Sequence, residues 1–382
     1  PGDGIGLNPD EITIAKLLQD AGYATKLVGK WHCGDQPEFL PTSHGFDSYL
    51  GIPFSNDHGR QVRNPNPNPE IKWRDHPPLP LVRDLDVIAE QPDQAAITER
   101  YVTEAKEFIR ENDDKPFFLY FAHMHVHVPI YTPDHFERES ENGIYGAGVA
   151  AIDWSVDVIL HELEQLGIDD NTIVIFTSDN GSRARDEGGS NGPLRGHKGE
   201  TWEGGQRVPF IVRWPGEVPQ NAVCEEMATG MDLMPTLASI AGVDAPSDRI
   251  IDGHDITPLL TGEAGSTSPW EEFFYYKQRD LEAVRAGKWK LHVRKNGENI
   301  NELYDLDADA GETKNLHSSH PEIVEQLNQR IEASRRDIGD AAVGAVGENV
   351  RPIGRVDNPK PLTQYDPNHP YFMAEYDKHH RG

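Results

Sequence analysis

Two hydrophobic patterns alternate along this chain. Short apolar runs are typical of strands that are buried on both faces, and apolar residues at helical spacing are typical of amphipathic helices. Together the two patterns predict strands and helices at residues 24–28, 97–111, 116–122, 145–166, 172–176, 208–214 and 231–241. This order of elements predicts an α/β fold with a largely parallel mixed sheet flanked by helices.

The pattern is less regular at the N-terminus and in one long polar segment. Asn8, with Pro9 after it and Glu11 three residues on, predicts a helix that begins at residue 8 and ends at Gly22. Residues 55–95 are polar and rich in proline, which predicts a surface excursion with little regular structure.

The pattern changes after about residue 265. Short alternating stretches predict strands at 272–277, 281–286 and 289–293, and a helical pattern follows at 321–335. We therefore predict a smaller C-terminal antiparallel sheet plus a helix. The predicted boundaries are an N-terminally incomplete α/β domain over 1–265, an α+β subdomain over 266–336 and an irregular tail over 337–382 that packs on the body.

Composition narrows the possible partners. The chain has 36 basic and 64 acidic residues, a formal net charge of -28, which argues against nucleic acid and anionic membranes as partners. The sequence contains no run of 18 apolar residues, so it predicts no membrane span. The chain starts at Pro1 and its first methionine is Met124, which predicts that further residues, including any signal peptide, precede Pro1 in the natural protein.

Polar side chains that suit anion or metal binding follow several predicted strands, and ligands of open parallel sheets bind at the carboxyl ends of the strands. Lys30 and His32 follow the first strand between two glycines, and from an extended loop they can point in one direction. The alternative for this pair is a surface lysine beside a core histidine.

Three histidines, His123, His125 and His127, follow the strand at 116–122 at alternate positions. In an extended chain they would lie on one face, where imidazoles could bind zinc. The alternative is one functional histidine with two hydrogen-bonded neighbours. Pro129 makes His127 the residue expected to project into a pocket.

Three more candidates follow the strand at 172–176. Asp179 and Asn180 offer hard oxygen ligands for calcium or magnesium, although Asp-Asn-Gly is also an ordinary turn sequence. Lys198 lies between Gly196 and Gly199, where close backbone approach would hold its ammonium near an anion. The alternative is a solvated surface lysine.

Together these motifs resemble those of the sulfatases, and in particular the arylsulfatase branch of that family within the alkaline-phosphatase-like superfamily. The resemblance rests on segments 29–32, 51–57, 127–129, 179–181, 191–210, 303–307 and 312–316. It implies that Lys30 and His32 contact the sulfate group and the catalytic residue, and that Ser55 lines the substrate pocket. It further implies the following roles: His127 is the active-site histidine, Lys198 bridges the sulfate and the leaving oxygen, and Asp179 and Asn180 form half of a calcium site.

One family motif is missing from these residues. The family's nucleophile lies in a Cys/Ser-x-Pro-x-Arg motif, downstream of a paired aspartate, and is oxidised to formylglycine. Neither Cys33 nor Cys224 has the required Pro and Arg after it. These two cysteines could form a disulfide, but the default interpretation is two small buried apolar side chains. We therefore expect the 382-residue chain alone to be inactive.

The resemblance implies a sulfatase-like hydrolase of aryl or carbohydrate sulfate monoesters that uses formylglycine and Ca²⁺, with Mg²⁺ as the second choice. It implies a sulfated small molecule or glycan as partner, and a periplasmic or secreted location. Two alternatives stay open: a two-zinc phosphatase or phosphodiesterase of the same superfamily, and a non-catalytic anion-binding relative. The sequence leaves the particular substrate and the oligomeric state undetermined.

Overall fold

A computed structural model of the chain describes residues 1–62, 76–185, 188–371 and 374–375. Its strands are β1 Ile5–Gly6, β2 Ala24–Lys30, β3 Ser48–Ile52, β4 Gln61–Val62, β5 Pro80–Arg83, β6 Asp86–Glu90, β7 Phe117–Ala122, β8 Val174–Thr177, β9 Phe210–Arg213, β10 Phe273–Lys277, β11 Asp280–Ala286, β12 Trp289–Lys295, β13 Glu298–Asp305, β14 Gly339–Asp340, β15 Ala345–Val346, β16 Gly354–Arg355 and β17 Ala374–Glu375. Its α-helices are α1 Ile14–Asp20, α2 Ile97–Glu111, α3 Asp134–Glu139, α4 Gly143–Leu166, α5 Glu203–Gln206, α6 Leu233–Ile240, α7 Thr257–Leu260 and α8 Pro321–Asp337.

The chain folds into two compact units, each made of segments that are separated in sequence. Unit 1 comprises Pro1–Thr172, Thr229–Thr257 and Ile353–Gly382, and unit 2 comprises Ile173–Ala228 and Pro258–Pro352.

Unit 1 is built on a five-stranded mixed sheet of order β6-β5-β3-β2-β7. The β3–β2 and β2–β7 pairings are parallel, and the β3–β5 and β5–β6 pairings are antiparallel. Successive residues of each central strand point to opposite faces: Val28 and Leu50 belong to one hydrophobic core and Leu27 and Tyr49 to another. Because both faces are covered, most side chains of the two central strands are buried.

Helix α2 covers one face of this sheet. Ile97 and Tyr101, four residues apart on one side of the helix, pack into the same core as Val28. The helix also carries Glu104, whose carboxylate lies 2.5 Å from the ammonium of Lys26 on β2. Arg83 pairs with the same carboxylate at 2.7 Å, so the buried charge of Glu104 is compensated.

Unit 2 contains a four-stranded antiparallel sheet of order β10-β11-β12-β13. Helix α8 packs on it through Val324, Leu327 and Ile331, which share a core with Leu281 and Leu291 of the sheet. Strands β8 and β9 form a separate antiparallel pair in this unit.

The predicted fold class is confirmed, because a mixed sheet flanked by helices and a smaller antiparallel sheet with a helix are both present. Two details differ from the sequence-based expectation. A fourth strand, β13, completes the antiparallel sheet, and β8 pairs with β9 in antiparallel fashion rather than continuing a parallel sheet. The predicted domain boundaries at 265 and 336 stay a prediction.

The predicted start of the first helix was wrong. Helix α1 begins at Ile14, and its N-cap is Thr13, whose hydroxyl accepts a hydrogen bond from the backbone N–H of Lys16 at 3.0 Å. Asn8 instead caps a local turn, because its side chain accepts from the N–H of Asp10 at 3.0 Å. Asparagine side chains stabilise both kinds of structure, so the motif was ambiguous.

The prediction of little regular structure over 55–95 was also partly wrong. Strands β5 and β6 form a hairpin on the β3 edge of the main sheet. The alternation of apolar and polar residues within 80–90 was obscured by the prolines around it. Residues 63–75, which contain most of the Asn-Pro repeats, lie outside the described residues.

Strand β7 is the end strand of the described sheet and is only partly buried, with Tyr120 50% exposed, so the prediction of burial on both faces was wrong. The two cysteines are free and exposed, which contradicts both a disulfide and burial.

Helix α4 is long and apolar enough to cross a bilayer when judged by length and composition alone, with a mean hydropathy of 1.3 in its best window. Core helices of water-soluble proteins pass the same test, so this finding assigns no membrane span. The sequence-based prediction of none stays a prediction.

Candidate active site

The predicted site residues of unit 1 lie at one edge of the main sheet. The parallel register places Gly29 opposite both Gly51 and Ala122, and Lys30 opposite Ile52. The carboxyl ends of β2, β3 and β7 therefore meet at the same edge. Lys30 is the last residue of β2, and the segments that carry Ser55 and His127 leave β3 and β7 at this edge.

Two glycines allow these strands to approach each other closely. A Cβ atom on Gly29, which has φ of 125°, would lie 1.9 Å from the carbonyl oxygen of Ala122. A Cβ atom on Gly51 would lie 1.7 Å from the carbonyl oxygen of Gly29. Both positions therefore require glycine for a steric reason.

The loop after β2 is held by main-chain hydrogen bonds. The N–H of Trp31 donates to the carbonyl oxygen of Ile52 and the N–H of His32 to that of Pro53, both at 3.0 Å. The Trp31 indole packs against the core and donates to the carbonyl oxygen of Phe39 at 2.6 Å. His32 has a positive φ of 62° and an exposed side chain, so the loop presents its imidazole outward.

Ser55 and His127 form a side-chain pair. The Ser55 hydroxyl lies 3.1 Å from Nε2 of His127, and the carbonyl oxygen of Val128 lies 2.6 Å from Nδ1. The carbonyl can only accept a hydrogen bond, so it favours a proton on Nδ1. The Ser55 hydroxyl also lies 3.3 Å from Nδ1. With the proton on Nδ1, Nε2 is the basic nitrogen of neutral His127 and the ring atom that can accept from the serine hydroxyl.

The other two histidines of the 123–127 segment are positioned differently. The chain turns after β7, with the N–H of His127 donating to the carbonyl oxygen of Met124, so the expected extended row is wrong. His123 and His125 stack with ring centroids 5.1 Å apart, and Nδ1 of His123 accepts from the N–H of His125. Burial lowers the pKa of His123 to about 3 and that of His125 to about 4.

These contacts favour the alternative of one histidine in a pocket and two structural neighbours. Among the described residues, no group of three His, Cys, Asp or Glu side chains has the arrangement of a metal site. The zinc interpretation of the three histidines therefore has no support within that part of the chain.

The remaining predicted site residues lie in unit 2, beyond the end of β8. The carbonyl oxygen of Ser182 accepts from the N–H of Lys198 at 3.0 Å, so the glycine-rich loop is bound directly to the chain that follows Asp179 and Asn180. Asn191 strengthens this connection, because its amide donates to the carbonyl oxygens of Ser182 and Gly196. Its own side-chain oxygen accepts from the N–H of Ser182 at 2.8 Å.

The Asp179–Asn180 pair fits the metal that the resemblance implies. Calcium prefers oxygen ligands, and this pair supplies a carboxylate and an amide oxygen at a strand end. The Asp179 side chain is exposed, and it makes no hydrogen bond or ion pair with the described residues. Since about six to eight oxygen ligands surround calcium, these two side chains could supply only part of the set.

Sequence reasoning missed two groups near these positions. His58 lies between His32 and His76, with ring centroids 6.3 and 5.3 Å away, and this continues the polar surface beside Ser55. In unit 2, Asn191 is the residue that connects the Lys198 loop to Ser182. His58 follows the 51–57 motif directly and could have been noticed; Asn191 carried no distinguishing pattern.

Two family models match the chain. The model described as Sulfatase matches residues 3–243, and the model described as N-sulphoglucosamine sulphohydrolase, C-terminal, matches residues 197–337. Similar curated proteins include N-acetylgalactosamine-6-sulfatase of Canis lupus familiaris, 39% identical over 307 residues, and arylsulfatase A of Homo sapiens, 35% identical over 365 residues. The alignments cover 76% and 85% of this chain.

The coverage of these relatives differs. The chain spans 56% of the canine N-acetylgalactosamine-6-sulfatase and 71% of human arylsulfatase A. The chain therefore spans little more than half of the canine N-acetylgalactosamine-6-sulfatase.

Solved structures resemble this fold over most of its length. The PsFucS1 sulfatase from Pseudoalteromonas sp. has a TM-score of 0.75 at 25% identity, covering 92% of this chain and 77% of that one. Ps i-CgsB in complex with k-i-k-neocarrahexaose has a TM-score of 0.74 at 27% identity, covering 87% and 76%. The Sulfatase model covers more than half of this chain, and human arylsulfatase A is 35% identical with 71% of its length covered; the chain therefore belongs to the sulfatase family.

Proposed function

We propose that the protein hydrolyses sulfate monoesters, and that Lys30, His32, Ser55, His127 and Lys198 act on the sulfate group. The observation that carries this proposal is the arrangement in unit 1. There, a lysine, a histidine and a Ser–His pair leave three adjacent strands at one sheet edge, at the positions that match the family motifs.

Lys30 and Lys198 would supply positive charge to the anion. The whole chain has a formal net charge of -28, so a sulfate group would be repelled unless local cations compensate. Preorganised cations that face the sulfonyl oxygens stabilise the charge that develops in the transition state. The glycines around Lys198 bring its main chain close to Ser182, which limits where its ammonium can go.

His127 would accept and donate a proton at its Nε2 atom. With Nδ1 bound to the Val128 carbonyl, neutral His127 offers a basic Nε2 towards Ser55, and a protonated ring offers an acidic N–H at the same atom. Proton transfer to the departing ester oxygen would assist release of the alcohol. The Ser55 hydroxyl would orient the ring and bind the substrate beside it.

Asp179 and Asn180 would hold Ca²⁺, with Mg²⁺ as the second choice. When bound, such a cation would supply Lewis-acid stabilisation of the sulfate oxygens. The nucleophile would be a formylglycine formed in a Cys/Ser-x-Pro-x-Arg motif, which these 382 residues do not contain. We therefore expect turnover from the product of the complete reading frame and none from the 382-residue chain alone.

The substrate class that we propose is a sulfated glycan. The curated relatives include N-acetylgalactosamine-6-sulfatases, and a structural relative is described in complex with a neocarrahexaose. The exposed imidazole of His32 and the half-buried imidazoles of His58 and His76 would suit a sugar with hydroxyl and anionic groups. A periplasmic or secreted location follows from the same proposal.

The test is sulfate release by the product of the complete reading frame, assayed with an aryl sulfate and with a 6-sulfated N-acetylgalactosamine oligosaccharide. Lys198→Ala should lower kcat/KM by about 100-fold or more, the size of effect seen when one electrostatic group is removed from an active site. Lys16→Ala is the matched control, because Lys16 is an exposed lysine on α1. Faster release of phosphate from a phosphomonoester than of sulfate would contradict the proposal.

The metal is tested separately from activity. Adding CaCl₂ should raise the melting temperature of the protein, because a ligand that binds only the folded state stabilises it. Asp179→Ala should abolish this shift. An equal shift in the variant would exclude Asp179 as a ligand.

A further inference from the structure

A cluster of buried charged side chains lies in unit 2, outside the predicted site residues. We define the anchor cluster as Glu203, Lys290, His292 and Glu312, whose side chains are all 0% exposed. The ammonium of Lys290 lies 2.8 Å from the Glu203 carboxylate and 2.9 Å from that of Glu312. Nε2 of His292 lies 3.2 Å from the Glu312 carboxylate.

Charges buried to this extent persist only when they are paired and hydrogen-bonded. The Tyr275 hydroxyl donates to Glu203 at 2.8 Å, and the Arg285 guanidinium lies 3.7 Å from the same carboxylate. Burial opposes ionisation of Glu312, but the hydrogen bond from His292 and the charge of Lys290 hold its pKa below the ordinary value. With Arg285 included, two cations face two carboxylates, so the anchor cluster is close to electrically neutral, although Oε2 of Glu203 has no hydrogen-bond partner among the described residues.

The anchor cluster fixes main-chain atoms of the Lys198 loop. Lys290 donates to the carbonyl oxygen of Thr201 at 2.8 Å, and the N–H of Glu203 donates to the Glu312 carboxylate at 2.7 Å. Between these two contacts, the Trp202 ring stacks on His292 with centroids 4.1 Å apart. Three consecutive residues, 201–203, are thus held against the antiparallel sheet.

The other end of the loop is held by the same elements. The Arg195 guanidinium stacks on Trp202 at 3.6 Å and donates to the carbonyl oxygen of Glu312 at 3.0 Å. The N–H of Gly204 donates to the carbonyl oxygen of Arg195 at 2.7 Å, which closes the loop. Lys198 therefore lies in a closed loop whose two ends are both held at the anchor cluster.

Glycines flank Lys198 in this loop. Gly196 and Gly199 both have φ of 83°, a conformation that favours glycine. Within the loop, the N–H of Glu200 donates to the carbonyl oxygen of His197, and the N–H of Lys198 is held by Ser182. The position of this short segment therefore also depends on the two ends that the anchor cluster holds. We infer that Glu203, Lys290 and Glu312 are positioning residues that set Lys198 for its role with the sulfate group; this inference rests on the function proposed above.

The experiment uses two variants of the product of the complete reading frame. Lys290→Met removes the central cation, and it could prevent folding. Glu312→Gln is the milder variant: it keeps the size of the side chain but removes the carboxylate charge that pairs with Lys290 and accepts from the N–H of Glu203. Lys288→Met is the matched control, an exposed lysine on the same sheet that pairs with Asp305.

Two readouts separate positioning from general stability. Amide hydrogen exchange of residues 195–206 should become about tenfold faster in Glu312→Gln, while exchange of α8 stays unchanged. Because a small misplacement of a catalytic group can lower the rate up to about 100-fold, kcat should fall by about tenfold or more with KM changed less than threefold.

The outcomes that overturn the inference are distinct from failure of the proposed function. Unchanged exchange in 195–206, or faster exchange with kcat within twofold of the parent, would exclude a positioning role. Failure of the proposed function would instead appear as an unchanged kcat in Lys198→Ala. The exchange measurement requires no activity, so it decides whether the anchor cluster orders the loop in either case.

Discussion

The two units hold their predicted site residues by different physical means. At the sheet edge of unit 1, Lys30 and His32 are placed by strand register, main-chain hydrogen bonds and two glycines that permit close contact. In unit 2, Lys198 lies in a glycine-rich loop whose ends are held by buried charged side chains. The first arrangement is steric and the second is electrostatic, so they should respond to different perturbations.

This difference shows where tolerance to substitution should be expected. Main-chain contacts do not depend on the identity of most side chains, but they cannot form where a new Cβ atom would clash with the neighbouring strand. A buried charge network is sensitive at each member, because removing one partner leaves the other charge uncompensated. Four predictions follow the comparison from the largest effect to the smallest.

The largest effect is expected for Gly29→Ala in unit 1. The new Cβ atom would lie 1.9 Å from the carbonyl oxygen of Ala122 at a φ of 125°, so the parallel strands must separate. We expect a loss of more than about 4 kcal/mol in the free energy of unfolding, measured by urea denaturation, or failure to fold. Gly22→Ala is the control for backbone strain alone, because φ is 88° there but no atom lies within 4 Å; similar losses in both variants would contradict a steric cause.

A somewhat smaller effect is expected for Lys290→Met in unit 2. Removing this cation leaves the carboxylates of Glu203 and Glu312 buried without their shared partner, which should lower the free energy of unfolding by about 3–5 kcal/mol. Adding Glu312→Gln should recover part of the loss in urea denaturation, since one uncompensated charge is then removed. No recovery in the double variant would indicate lost packing and not lost charge compensation.

The change in the free energy of unfolding that buried histidines of unit 1 cause with pH should be smaller, per pH unit, than these two losses. The folded pKa values of His123 and His125, about 3 and about 4, lie below the unfolded value of 6.5 because burial disfavours the charged ring. The unfolded chain therefore binds more protons below about pH 6.5, and stability should fall as the pH is lowered, by up to about 1.4 kcal/mol per pH unit for each ring. This contribution to stability is complete above about pH 6.5 and decreases as the pH falls below that value.

Urea denaturation at pH 7, 6 and 5 measures this slope, in a range where most carboxylates stay ionised. His125→Gln should reduce the slope, because one of the buried rings that resist protonation is removed; burial also lowers the pKa of His44 and of His292, and these two rings keep part of the slope. A parent protein that becomes more stable between pH 7 and pH 5 would have the opposite sign and would contradict the assignment of buried neutral rings.

The smallest effect is expected for Lys16→Ala on helix α1. Lys16 pairs with Asp20 at 2.5 Å, but both side chains are largely exposed, so the pair should contribute only about 0.3–0.5 kcal/mol. Comparing the urea denaturation of Lys16→Ala with that of Lys290→Met would then separate the effect of burying an ion pair from the effect of pairing itself. A loss comparable with that of Lys290→Met would refute the distinction between surface and buried pairs.

Much of the fold could be predicted from sequence where one local pattern dominates. The helix at 97–111 matches α2 at both ends, because its apolar residues keep helical spacing throughout. Helix α1 was misplaced because Asn8 and Thr13 are both suitable capping residues and only the packing of Ala15 and Leu18 selects the second. Strand β13 was missed because three of its first four residues, Glu298, Asn299 and Asn301, are polar, which hides the alternation of a strand.

The motifs of the candidate site could be recognised in the sequence, but the contacts that support them could not. Lys30, His127 and Lys198 lie in motifs that are contiguous in sequence, and the strand ends place them on loops. The anchor cluster joins Glu203 to Lys290 and Glu312, about a hundred residues away in sequence, so no local pattern could reveal it. The turn after β7 likewise depends on tertiary contacts, such as the burial of Met124 and Val128.

The pairing of β1 with β16 has a consequence for synthesis on the ribosome. Ile5 pairs with Arg355, and the chain passes between the two units four times, so unit 1 contains both early and late segments. At about 5–20 residues per second, β1 must wait on the order of tens of seconds for its partner strand to emerge. Contacts between such distant segments also slow folding. Strand β1 is thus a late-forming element although the ribosome makes it before the rest of unit 1, and its edge lacks its partner strand during that interval.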